Sequence, residues 1–176
     1  MSKLILTPET ASALNTGFSA TFGCNPERYF SAPGRTEIGG NHTDHNNGKV
    51  LAAAVNLDAI AAVSKRDDGI ICVNSAGYTP ITVDSADHEI KDNEAGKSDA
   101  LIRGVCARFK ELGYNYGGFN ASVTSRVLSG SGLSSSAAYE VLIGTILNYL
   151  YNDGKISAVE IACISQYAEN VYFYVS

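Results

Sequence analysis

Two polar, glycine-rich segments of this sequence carry side chains able to do chemistry. The first, Ala32-Pro33-Gly34-Arg35-Thr36-Glu37-Ile38-Gly39-Gly40-Asn41-His42-Thr43-Asp44-His45-Asn46-Asn47-Gly48, reads as a loop bearing a guanidinium, carboxylates, amides and imidazoles. Each hydroxyl of a polyhydroxylated ligand asks for a donor and an acceptor, and Asp, Asn and His supply both. His42 and His45 flank Asp44 and also suggest a metal, though their spacing need not bring the rings together and no third Cys or His partner is evident. A polar surface turn uses the same residue types. All three readings stand at this point.

The second segment, Arg126-Val127-Leu128-Ser129-Gly130-Ser131-Gly132-Leu133-Ser134-Ser135-Ser136-Ala137-Ala138, runs from a strand through a Gly/Ser loop into a helix. Gly130 and Gly132 let the backbone approach an anion, and the N–H groups and dipole of a helix start favour phosphate there. Serine hydroxyls in the first turn add donors or reach a magnesium ion. A well-capped helix after a flexible turn explains the same residues without a ligand. Two rival motifs fail. Gly96-Lys97-Ser98 hints at a Walker A loop, but Lys91 stands where its first glycine belongs, and Asp92 and Glu94 would put negative charge into the cradle. A nucleophile elbow centred on Ser134 would end on Ser136 instead of glycine.

The elements that must position these segments alternate in type. Thr7-Pro8-Glu9 opens a short helix whose inward face is Leu14 and Phe18. Strands are expected at 28–32, 50–55, 59–64, 70–74 and 81–84, punctuated by turns such as Asp67-Asp68-Gly69. Leu101, Ile102, Val105, Cys106 and Phe109 recur at helical spacing up to Gly113, and 119–123 returns to strand. A helix from about Ser134 to Tyr151 would bury Ala138, Val141, Leu142, Ile146 and Leu150. Another opens with the capping box Ser157-Ala158-Val159-Glu160. This order predicts an α+β domain, a two-layer mixed β-sheet with helices.

With 176 residues and 45% apolar content, the chain can bury one substantial core. A net charge of -5 and the lack of a basic stripe argue against a nucleic-acid partner. No apolar run approaches the roughly 18 to 20 residues that span a bilayer, so no membrane partner is expected. No signal peptide is visible, and Cys24, Cys72, Cys106 and Cys163 form no C-x-x-C pair; free thiols and a cytoplasmic location are expected. The apolar end, Val171-Tyr172-Phe173-Tyr174-Val175-Ser176, reads as a chain cut before a partner domain, on which copies could associate; a tail tucked into its own core is the alternative.

Taken together, the two loops are specific. Ala32-Pro33-Gly34-Arg35 followed by Gly40-Asn41-His42-Thr43-Asp44-His45-Asn46 resembles the galactokinase signature A-P-G-R-x-x-x-x-G-E-H-T-D-Y-N, and 130–138 resembles the second motif of the GHMP kinases. Arg103-Gly104-Val105, Gly117-Gly118-Phe119 and Ala168-Glu169-Asn170 are also similar to galactokinase segments. The resemblance covers nearly the whole chain. It implies a GHMP kinase N-terminal domain over residues 1–176, a native C-terminal domain that is missing, and galactose, ATP and Mg2+ as ligands. By that resemblance Asn41, His42 and Asp44 would meet sugar hydroxyls, and Arg35 would stand beside the anomeric hydroxyl or screen the transferring phosphoryl group. Gly130, Ser131, Gly132, Leu133, Ser134 and Ser135 would cradle ATP phosphates, with Ser136 facing magnesium.

Departures from the family pattern shape the remaining expectations. Asn41 replaces Glu and His45 replaces Tyr, which bears on sugar preference; Leu128 replaces a common proline. The family continues after Glu-Asn with G-x-x-x-D-Q, whose Asp is catalytic, whereas this sequence reads Asn170-Val171-Tyr172-Phe173. The expectation is therefore a galactokinase portion inactive by itself. A non-catalytic galactose/ATP sensor and a kinase for another hexose are the alternatives.

Overall fold

The computed structural model describes residues 6–40, 49–127 and 132–174. Thr7 caps α1 (Pro8–Phe22), its hydroxyl accepting from the Thr10 N–H at 3.3 Å, and Gly23 ends it in the left-handed region. Leu14 and Phe18 are its buried residues, packed on Ile60 and Ala62.

Five strands form a mixed sheet among the described residues: β1 (Arg28–Gly39), β2 (Leu51–Lys65), β3 (Ile70–Ser75), β4 (Ile81–Asp84) and β5 (Phe119–Ser125), in the order β1-β2-β5-β3-β4. All neighbours run antiparallel except β3 and β5. Ala59, Ala61 and Val63 point into the main core, while Ile60 and Ala62 meet α1 on the other face. That two-sided cover explains an unbroken buried run, residues 59–64, toward the end of β2.

Two expectations about the strands need correcting. Residues 32–39 belong to β1, not to a loop, and 51–55 and 59–64 belong to one strand. The register jumps from Pro33↔Asp58 to Arg35↔Ala54, so β2 carries extra residues at 55–57 opposite Gly34. Such a bulge accommodates a proline that cannot donate, and it breaks the alternation that a sequence reading depends on.

The main core lies between the sheet and a layer of α2 (Ser98–Glu111), α3 (Ser135–Tyr151) and α4 (Ala158–Ala168). Gly104 lets α2 approach α4: a Cβ there would sit 2.8 Å from Ala168 Cα. On α3 the buried face is Ala138, Leu142, Ile143, Ile146 and Leu147, with Val141 and Leu150 only half-buried. The expected stripe is thus rotated, because α3 is enclosed by the sheet on one side and by α2 and α4 on the other. Ser157 caps α4 as expected, accepting from the Glu160 N–H at 3.1 Å. The reciprocal half of the capping box, a bond from the Ser157 N–H to the Glu160 carboxylate, is not made.

Arg103, 4% exposed, clips the segment before α2 to the helix. Its Nε and Nη2 donate to the two Glu94 oxygens at 2.9 Å, and Nη1 meets the Asp87 carbonyl at 2.7 Å and carboxylate at 2.8 Å. The rejected Walker-like stretch is part of this clip, and Gly96 N–H donates to the Phe173 carbonyl at 3.0 Å. A π-helical turn (Glu169–Phe173) follows α4. Tyr172 is buried and its hydroxyl donates to the His88 carbonyl at 2.9 Å, while Tyr174 is exposed. The apolar end is therefore tucked in at Tyr172 and open at Tyr174.

Burial, then the Lys110 charge, lower the pKa of His88 from its ordinary 6.5. The unfolded chain takes up a proton near pH 6.5 that folded His88 refuses. This contribution to stability is full above that pH and is lost as pH falls through the folded pKa. Melting temperatures measured from about pH 8 to pH 5 should fall on acidification, and fall less in His88→Gln. Parallel curves would show that His88 is not the group responsible.

Candidate active site

β5 delivers the chain to the glycine–serine loop, and its end is pinned to the β2 bulge. The Arg126 N–H donates to the Asp58 carbonyl at 2.9 Å, and its guanidinium meets the Asp58 carboxylate at 2.6 Å and the Asn56 carbonyl at 3.3 Å. Val127 is buried just before the loop. Beyond it, Ser134 takes up a left-handed conformation (φ 54°, ψ 67°) as the residue before α3, and its carbonyl accepts the first helical bond from Ala138 at 3.1 Å. A non-glycine residue in that region is uncommon and costs energy. Here it turns the chain abruptly into the helix, leaving Ser135 and Ser136 in the first turn, where backbone N–H groups have no helical acceptor.

The two chemically promising segments meet. The Arg35 N–H on β1 donates to the Leu133 carbonyl at 3.1 Å. Gly34 makes the approach possible, since a Cβ there would stand 3.0 Å from both the Leu133 oxygen and a Val127 methyl. Arg35, Leu133 and the start of α3 thus form one surface, with the Arg35 side chain exposed and Ser134, Ser135 and Ser136 half-buried. Gly132 adjoins them with a positive φ of 74°. Asn41, His42, Asp44, Gly130 and Ser131 lie outside the described residues, as do His45 and Leu128.

Sequence reading assigned no role to two carboxylates at this surface. The Ser136 hydroxyl donates to Glu169 Oε1 at 2.7 Å, joining the first turn of α3 to the end of α4. Glu140, one helical turn beyond Ser136, is 1% exposed, and its Oε1 has no hydrogen-bond partner. Burial, then the neighbouring Glu169 charge, push its carboxyl up to about 8. The available signals were a lone acid inside an apolar helical stripe and the Ala168-Glu169-Asn170 segment. Among the described residues no three His, Cys, Asp or Glu gather as a metal cage. The Ser136 hydroxyl and Glu169 carboxylate beside the glycine–serine loop are oxygen donors of the kind Mg2+ takes, usually one or two carboxylates plus substrate phosphates and several waters.

The arrangement has counterparts. Residues 100–175 match the GHMP kinases N terminal domain, and residues 16–65 match the galactokinase galactose-binding signature. Mevalonate kinase of Methanococcus jannaschii shares the fold with a TM-score of 0.67 at 17% identity, over 81% of this chain and 46% of that one. The fold is that of a GHMP kinase N-terminal domain. Galactokinase of Lactococcus lactis, solved in complex with galactose, matches with a TM-score of 0.83 at 29% identity, over 94% of this chain and 43% of that one. Galactokinases of Streptomyces coelicolor and Clostridium beijerinckii are 38% and 35% identical, over 92% and 93% of this chain. The chain belongs to the galactokinase family, and it spans 42% of the length of each of these two relatives. No helix among the described residues is long and apolar enough to cross a membrane.

Proposed function

We propose that the protein to which this chain contributes an N-terminal domain, residues 1–176, transfers the γ-phosphoryl group of ATP to the C1 hydroxyl of galactose. The observation that carries this reading is the hydrogen bond from Arg35 to Leu133, which puts the sugar signature and the phosphate loop on one surface. Gly130, Ser131, Gly132, Leu133, Ser134 and Ser135 would hold the ATP phosphates through backbone N–H groups, where an α3 N-terminus favours negative charge. Ser136 and Glu169 would hold Mg2+, which when bound screens charge on the phosphates. Arg35 would favour the ionised form of the attacking hydroxyl or screen the transferring group, and Asn41, His42 and Asp44 would fix the sugar's orientation.

The general base, worth about 10²- to 10⁴-fold, would come from beyond this segment, as would the native C-terminal domain. Residues 1–176 alone are accordingly expected to turn over little or no ATP. The four free thiols accord with a cytoplasmic enzyme. Asn41 and His45 give one observation in favour of another hexose, so the test is a sugar panel. ADP release would be followed for a chain of full family length and for residues 1–176, with galactose, glucose and N-acetylgalactosamine. Galactose-dependent turnover in the longer chain only is the expected result. Preference for another sugar would replace galactose as substrate. Ligand binding without turnover in the longer chain would favour a sensor.

A further inference from the structure

A buried carboxyl oxygen with no partner is costly, and structures retain few of them without a use. Glu140 is such a group, enclosed on α3, and the neighbouring charge that bears on it is that of another acid, Glu169. Its position four residues after Ser136 puts it on the face of α3 that carries the Ser136–Glu169 hydrogen bond. Two acids drawn together behind a hydroxyl, with no ion pair to either among the described residues, make an arrangement that a divalent cation relieves.

We propose that Glu140 is a positioning residue for a divalent cation held by Ser136 and Glu169: its carboxyl gives up its proton to solvent as the cation binds and then supplies a second negative charge that tightens the binding. This rests on the reading of Ser136 and Glu169 as cation-holding groups. A hard divalent ion recruits oxygen ligands of this kind, and changes in groups behind the direct ligands typically cost about 10- to 100-fold in metal affinity. The charge, not the volume, of Glu140 is the property that matters.

The test is Mn2+ binding to residues 1–176, followed by loss of the free Mn2+ electron paramagnetic resonance signal. Glu140→Gln and Glu140→Met, both neutral and close in volume, are prepared beside Glu140→Asp and Glu169→Gln, each checked by far-ultraviolet circular dichroism. Either neutral variant that folds is sufficient. The expected result is a loss of about tenfold or more in the neutral variants, most of the affinity kept in Glu140→Asp, and a comparable or larger loss in Glu169→Gln. Wild-type affinity in the neutral variants with loss in Glu169→Gln would overturn the role of Glu140 while leaving the Ser136–Glu169 pair intact. Glu140→Asp as weak as Glu140→Gln would overturn it too, because charge would not be the cause. Unchanged binding in Glu169→Gln would remove the cation reading itself, and the proposal with it.

Discussion

Replacing Arg103 with methionine should lower the unfolding free energy of residues 1–176 by about 3 to 5 kcal/mol, the usual cost of removing one partner from a buried ion pair. The guanidinium is almost wholly enclosed and spans two anchors, the Glu94 carboxylate and both the carbonyl and the carboxylate of Asp87. Its loss strands Glu94, which is only 13% exposed, whereas Asp87 keeps Lys91 at 2.6 Å. The penalty should therefore come mainly from Glu94, and Arg103→Met with Glu94→Gln should be more stable than Arg103→Met alone. Arg103→Lys should recover only part of the loss, because an ammonium cannot reproduce the fork of two parallel bonds. Urea unfolding of the four chains reads all of this. A loss below about 1 kcal/mol, the scale of an exposed pair, would mean the clip is not what holds the segment before α2.

Gly34→Val should reduce sugar-dependent ATP turnover by about 100-fold in a chain of full family length, the scale expected when reacting groups are misplaced by roughly 1 Å. The Cβ alone would meet the Leu133 oxygen and the Val127 methyls at 3.0–3.1 Å, and valine adds two further methyls to a buried position. The added groups push β1 away from Leu133 and Val127, so the Arg35 N–H should lose protection from hydrogen exchange. Stability should suffer less, by about 1 to 3 kcal/mol, as in other overpacked sites. Full turnover with an intact Arg35 amide bond would show that the two segments tolerate being spread.

Much of the helical framework was legible because its signals are local. Thr7-Pro8-Glu9 and Ser157 start helices by capping, and those caps are present. The far half of β1 was not legible, since Gly34 and Pro33 read as turn formers and only pairing with the bulged β2 makes the segment a strand. The orientation of α3 was missed for a related reason: enclosure on two sides blurs the single stripe that periodicity detects. At the site, Arg35 and the serines were marked by their motifs. Glu169 stood in a family-like segment but without a role, and Glu140 carried no mark, because their significance arises from a hydrogen bond across 33 residues and a burial that no local pattern encodes.

The sheet order also bears on how the chain reaches its fold during synthesis. Residues up to Asp84 can form two hairpins, β1 with β2 and β3 with β4, which share no ladder until β5 slides between β2 and β3. At about 5 to 20 residues per second, the ribosome takes a few seconds to add the residues between β4 and the end of β5. Throughout that interval the inner edges of β2 and β3 stand open as templates for strands of other chains. The strand that closes those edges leads directly into the glycine–serine loop, so relief from aggregation and arrival of the loop are a single event.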